Sequence, residues 1–205
     1  MTNSAHQGVI KVKFNLKMSS PINEEHFLEL EKWRSIFHKM GVIGEYKTTK
    51  LGFGNLSKRL MKGDEAFIIT GAQTGVYPHL SGMQYTKVTK CVLSKLSIEA
   101  IGPIAPDNES LTHHAIYEKN LQINFIFHVH NINLWNYMIK NNLEQTAQDI
   151  DHRSFDFQQE AMKCIQNKNS GIFAISDLEG GIIAYADSAE NAGKLILETL
   201  KISKK

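Results

Sequence analysis

Two histidines one residue apart close the apolar run Phe125-Ile126-Phe127-His128-Val129-His130. Its β-branched and aromatic residues favour a strand. Residues i and i+2 of a strand face the same way, so His128 and His130 project together. Two imidazoles on one face of a rigid strand are half of a divalent-metal site. Such a pair more commonly serves as two hydrogen-bonded histidines, so its context has to decide. Upstream, residues 109–117 read as a helix opened by Glu109 and ended by Asn120. Glu109 and His113, four apart, share one face of it. A carboxylate at a helix start is ordinarily a capping charge. Here it precedes a two-histidine strand by about one helix, so the fold can bring a carboxylate to the imidazole pair.

These residues require elements to hold them. Ile10, Val12, Phe14 and Leu16 alternate with Lys11, Lys13, Asn15 and Lys17, the pattern of a half-buried strand with lysines on its wet face. Ser19-Ser20-Pro21 breaks it. Ser20 or Asn23 can cap a helix that carries Glu24 and Glu25 in its first turn. Phe27, Leu30, Trp33, Phe37 and Met40 recur at three and four residues, a core face rather than a cofactor box. Gly41 stops that helix. Gly52 and Gly54 permit a tight backbone, after which residues 56–61 and 66–70 read as strands joined by the turn Lys62-Gly63-Asp64. Gly71-Ala72-Gln73-Thr74-Gly75 is a small-residue loop that presents N–H groups to an anion or simply ends a strand. Residues 81–97 fit either strands or a short helix, and Pro103 and Pro106 mark a loop. Residues 171–175 read as a strand. Asp187-Ser188-Ala189-Glu190 reads as a capping box for a last helix with Ala189, Ala192, Leu195, Ile196 and Leu200 on its apolar side.

The chain has 205 residues, 42% of them hydrophobic and 21% charged. That suits one globular domain over residues 1–205, with residues 1–20 an extra N-terminal strand and a loose polar tail. A formal net charge of +2 argues against nucleic acid or an acidic membrane as partner. Cys91 and Cys164 form neither a disulfide framework nor a Cys-x-x-Cys site. No segment resembles a signal peptide or approaches a membrane span, so a cytoplasmic protein is expected.

Taken in order, Gly54-Asn55-Leu56-Ser57, Thr70 through Thr74-Gly75, Pro106-Asp107-Asn108-Glu109, His113, Ile116-Tyr117 and His128-Val129-His130 resemble the class II aldolase/adducin family. The likeness covers residues 25–140 well and continues more weakly to the C-terminus. It implies an α/β fold, a three-layer α/β/α sandwich around a mostly antiparallel sheet, and a homotetramer with sites near subunit interfaces. It implies a divalent metal, most often zinc, held by three histidines, two of which match His128 and His130. A glutamate matching Glu109 is the acid/base. Gly54, Asn55, Thr74, Gly75, Asp107 and Asn108 match positions that hold a substrate phosphate.

Two departures shape the expectation. The family's third histidine falls on Gly180, which has no side chain. Glu179 is taken as the third ligand, with Asp177 and His152 as further candidates. Asp107 and Asn108 replace two serines that would face a phosphate, which points to an unphosphorylated or differently oriented hydroxy-carbonyl substrate. Three functions follow: a metal-dependent carbon–carbon or carbon–oxygen lyase, a non-catalytic adducin-like oligomerising or partner-binding module, or a two-histidine metal protein with altered chemistry.

Overall fold

The computed structural model describes residues 12–203. The alternating segment forms β1 (Lys13–Met18). Ile10 and the tail of residues 1–8 lie outside the described residues. β1 departs from the half-buried expectation: Phe14 and Met18 are exposed together with Lys13 and Lys17, and Leu16 alone is partly covered. The reason is position, because β1 is an edge strand with a neighbour on one side only.

Helix α1 (Glu24–Lys39) carries Glu24 and Glu25 in its first turn and buries Phe27, Leu30, Trp33 and Phe37. Met40 falls past its end and is exposed. Asn23 occupies the N-cap without a side-chain bond, and Gly41, at φ +70°, turns the chain away. Two short strands, β2 (Gly44–Glu45) and β3 (Gly52–Phe53), form a separate ribbon. Strands β4 (Asn55–Arg59) and β5 (Phe67–Thr70) pair antiparallel. The ambiguous stretch resolves into a capped single turn at 82–84 and the strand β6 (Tyr85–Val92), followed by β7 (Ser97–Gly102).

Helix α2 (Ser110–Lys119) ends on Asn120 as expected. β8 (Phe125–His130), α3 (Ile132–Lys140) and α4 (Phe155–Ile165) come next. β9 (Gly171–Ala174), β10 (Gly181–Ala186) and α5 (Ala189–Ile202) complete the described chain. The cap of α5 sits one residue later than the capping box implied. Ser188 accepts the Asn191 N–H, and Asp187 Oδ1 accepts from the Asn191 side-chain amide at 2.8 Å. Ser and Asp cap about equally well, and the extended backbone at Ser188, φ −137°, settles which one does.

The eight-stranded sheet runs β1-β7-β6-β5-β4-β8-β10-β9. Only β1 and β7 are parallel; the other neighbours are antiparallel. Alternation along the central strands feeds two hydrophobic clusters. Phe125, Phe127 and Val129 of β8 with Ile182, Ala184 and Ala186 of β10 join α1, α3 and α5. Ile126, Ile183 and Tyr185 join α2 and α4. Successive strand residues point to opposite faces, so the clusters lie on opposite sides of the sheet. On the first side α5 approaches α1 so closely that a Cβ on Gly193 would meet the Trp33 ring at 2.3 Å. Glycine costs a helix interior about 1 kcal/mol relative to alanine, and this packing explains its presence. His128 and His130 share parity with Ile126 and therefore face α2 and α4.

Candidate functional site

Register builds the site. Asn55 of β4 pairs with His128 of β8, and Gly181 of β10 pairs with His130. Cross-strand partners present side chains on the same face, so Asn55 and His128 emerge together. The two histidine rings lie 4.7 Å apart, centroid to centroid. Glu109 stands at the N-cap of α2, yet its side chain makes no capping bond. Its Oε2 instead accepts from Asn55 Nδ2 and is hydrogen-bonded to His128 Nδ1. The carboxylate that could have been a mere helix cap is thus turned into the histidine site. Tyr46, between β2 and β3, places its hydroxyl 2.9 Å from His130 Nδ1.

These groups line one cavity of about 270 Å³. Gly54, Asn55, Asp107, Asn108, Glu109, His128 and His130 all belong to its wall. Thr74 and Gly75 do not, and their neighbour Gln73 does. The Thr74 hydroxyl donates to Gly71 O at 2.8 Å, and a Cβ on Gly75 would meet Gly44 O at 2.2 Å. This loop therefore packs against the β2–β3 ribbon. Buried Arg34 secures it by donating to Thr74 O at 2.8 Å and Tyr77 O at 2.6 Å. Glu179 is exposed and outside the cavity wall. Asp107 Oδ1 accepts the Glu109 N–H at 3.0 Å, which keeps its carboxylate in the wall.

The charge states follow from burial and neighbours. Burial alone would raise the Glu109 carboxyl. The His128 ring beside it, the bonds from His128 and Asn55, and His130 further off outweigh that and hold it at about 2. Burial, then the Glu109 charge, pushes Asp107 up to about 6. Burial, then His128, depresses His130 to about 3, so its imidazole is neutral near pH 7, the form that ligates metals. Burial likewise takes His113 down to about 3; its Nδ1 lies 2.6 Å from Ser57 Oγ behind the site.

Two imidazoles beside a carboxylate are donors of the kind a divalent ion takes, though three donor atoms of this set do not gather within 4.8 Å of one another. His128 Nε2 is buried and has no hydrogen-bond partner among the described residues. Its other nitrogen meets a carboxylate, the outer-shell arrangement that fixes a ligating tautomer. His130 is neutral and adjacent. At Gly180 a Cβ would lie 3.7 Å from His130 Nδ1, but φ is +83°, a region that favours glycine. Nearby, donor atoms of Asp151, His152 and Asp177 gather within 4.8 Å of one another. Arg153 already holds both Asp151 oxygens, at 2.9 Å each.

Tyr46, Arg34 and Gln158 join the site without having been expected there. Gln158 lines the cavity, is 2% exposed, and its Oε1 lacks a partner among the described residues. A polar residue beside Phe157, Ala161, Cys164 and Ile165 on a helix was a usable signal. Tyr46 had none, since it sits in an irregular stretch and meets His130 only through the fold.

A family model described as Class II Aldolase and Adducin N-terminal domain matches residues 36–202. The chain belongs to the class II aldolase/adducin family. Comparison with curated protein sequences gives no match. Among solved structures, an L-fuculose 1-phosphate aldolase is 16% identical, with a TM-score of 0.66, over 90% of this chain and 85% of that one. A sugar-phosphate aldolase from Thermotoga maritima is 15% identical, with a TM-score of 0.65, over 88% and 93% of the two chains. YgbL from Klebsiella pneumoniae, a putative aldolase/epimerase/decarboxylase, is 17% identical, with a TM-score of 0.63, over 88% and 87%. At these identities the likeness is one of fold: mixed α/β with a large, mostly antiparallel sheet. No helix among the described residues is long and apolar enough to cross a membrane.

Proposed function

We propose that this class II aldolase-family chain is a divalent-metal-dependent lyase for a small, unphosphorylated hydroxy-carbonyl compound. The observation that carries the reading is the buried Nε2 of His128, unpartnered among the described residues, with Glu109 on the opposite nitrogen and neutral His130 alongside. His128 and His130 would hold the metal, with zinc the first candidate. Bound there, such an ion would polarise a substrate carbonyl and stabilise the negative charge that develops on its oxygen as a neighbouring bond breaks.

The chain's own residues do the rest. Glu109, ionised near pH 7, accepts the proton at the carboxylate oxygen that Asn55 and His128 leave free, and returns it after bond cleavage. Asn55 and His128 orient that carboxylate. The Tyr46 hydroxyl orients the His130 ring. Asn55 Oδ1 and Gln158 Oε1, acceptors without partners among the described residues, suit the hydroxyl groups of a sugar-like ligand. The two hydrophobic clusters support a three-layer α/β/α sandwich forming one domain over the described residues. A homotetramer follows from the family reading, and a cytoplasmic location is the further expectation from the sequence.

A second reading is an adducin-like, non-catalytic oligomerising or partner-binding module. It is favoured by Gly180, which puts no side chain where the family has its third histidine. Elemental analysis separates the two. The wild type should carry close to one zinc or manganese per chain, and the His128→Ala/His130→Ala variant none. A wild type free of metal after growth in supplemented medium would rule out the lyase and favour the module.

A further inference from the structure

Catalytic zinc usually draws three ligands from the protein, and His128 and His130 are two. Resting on the metal reading above, we propose that His152 is the third donor to this ion, steered by Asp177 and standing in for the side chain that Gly180 lacks.

His152 lines the same cavity as His128 and His130. The turn between β9 and β10 lies against that pair: Gly181 registers opposite His130, and Asn131 N–H donates to Gly180 O at 2.8 Å. His152 is tied to this same turn. Asp177 Oδ2 accepts the His152 backbone N–H at 3.2 Å and lies 3.1 Å from its Nδ1. A carboxylate on Nδ1 places the proton there and leaves the Nε2 lone pair for a metal.

The alternatives are weaker. Asp151 is clamped on both oxygens by Arg153. Glu179 is exposed and outside the cavity wall. The His152 side chain is 24% exposed and belongs to an irregular stretch, residues 141–154, between α3 and α4. Its backbone N–H is anchored on Asp177, and the donor atoms of His128, His130 and His152 do not gather within 4.8 Å of one another, so the ring would close onto the ion by side-chain rotation.

The test is zinc and cobalt(II) calorimetry on the whole chain, with the number of imidazoles on bound zinc counted by X-ray absorption. The variants are His152→Ala, Asp177→Asn and His128→Ala/His130→Ala, each checked for folding by circular dichroism. Three imidazoles are expected in the wild type and two in His152→Ala, which should bind at least about tenfold more weakly. Asp177→Asn keeps the shape, loses the charge, and should weaken binding by about 10–100-fold, the usual effect of an outer-shell partner. Two imidazoles in the wild type, or wild-type affinity in His152→Ala, would overturn the role of His152 and leave the metal reading standing. A wild type that takes up no metal, or a double variant that binds as the wild type does, would overturn both.

Discussion

Glu109 Oε2, at the start of α2, is hydrogen-bonded to Nδ1 of His128 on β8. The pair joins a helix end to a strand centre and removes Glu109 from any capping role. It also leaves one oxygen of Glu109 and one nitrogen of His128 for chemistry.

Glu109→Gln keeps the shape and a hydrogen-bond acceptor while losing the titratable proton. Cleavage of hydroxy-carbonyl substrates should slow by about 10²–10⁴-fold, the usual share of general acid–base catalysis, with the melting temperature little changed. Retained turnover in the glutamine variant would remove Glu109 from the acid/base role.

Asp107 makes stability depend on pH. Its folded value of about 6 lies above the ordinary 3.8, so folding favours its protonated form. That contribution is complete below about pH 4 and is lost as pH rises through 6. In metal-free protein, Asp107→Asn should therefore raise stability at pH 8 and give no gain at pH 4. The gain is on the order of 1–2 kcal/mol once partial exposure is discounted. Glu109 has the opposite sign. Its stabilisation is full above its ordinary 4.5 and fades as pH falls toward about 2, largely below this window. Thermal melts of both proteins from pH 4 to 8 check the difference, and parallel curves would contradict it.

The sequence was readable wherever one short-range pattern decides. Helical spacing located the buried face of α1, and strand alternation put His128 and His130 on one face. Positions that depend on a third element carry no such local pattern. The apolar alternation of β1 was present, but whether anything covers that edge depends on sheet order. Gly75 looked like part of a phosphate loop, because its small size was legible and its reason was not. That reason is Gly44 O, 2.2 Å from where a Cβ would stand. Tyr46 reaches His130 across 84 residues of chain, a contact without local signature. Arg34 reads as a polar neighbour of an apolar stripe until the 74–78 loop closes over it.

Gly180 offers a place to add a histidine beside the proposed metal site. There is room, since a Cβ would lie 3.7 Å from its nearest atoms, including His130 Nδ1. The obstacle is the φ of +83°, where a side chain costs about 1–2 kcal/mol. In a His152→Ala background, where the third place is open, Gly180→His should therefore tighten zinc binding and lower the metal-free melting temperature together. Calorimetry and melts on the same preparation read both. Unchanged affinity would mean that position 180 does not address the ion.

Asp107 also bears on which ligand the cavity accepts. A carboxylate about 4 Å from a phosphate costs on the order of 4 kcal/mol per unit charge at an effective dielectric near 20. A hydrogen bond to a charged group returns about 1.5–3 kcal/mol, so the repulsion exceeds what a serine there would contribute. The structure keeps Asp107 in the cavity wall, and the one arginine among the described wall residues, Arg153, is engaged with Asp151. Asn55 Oδ1 and Gln158 Oε1 add acceptors, not donors. Dihydroxyacetone phosphate should accordingly bind the wild type weakly at pH 8, and about tenfold or more tightly to Asp107→Ser, a gain of roughly 1.4 kcal/mol. Dihydroxyacetone, without the phosphate, should bind the two proteins about equally. Calorimetric titration of both ligands against both proteins gives the answer. Tight binding of the phosphate by the wild type, unimproved by serine, would show that Asp107 does not select against it.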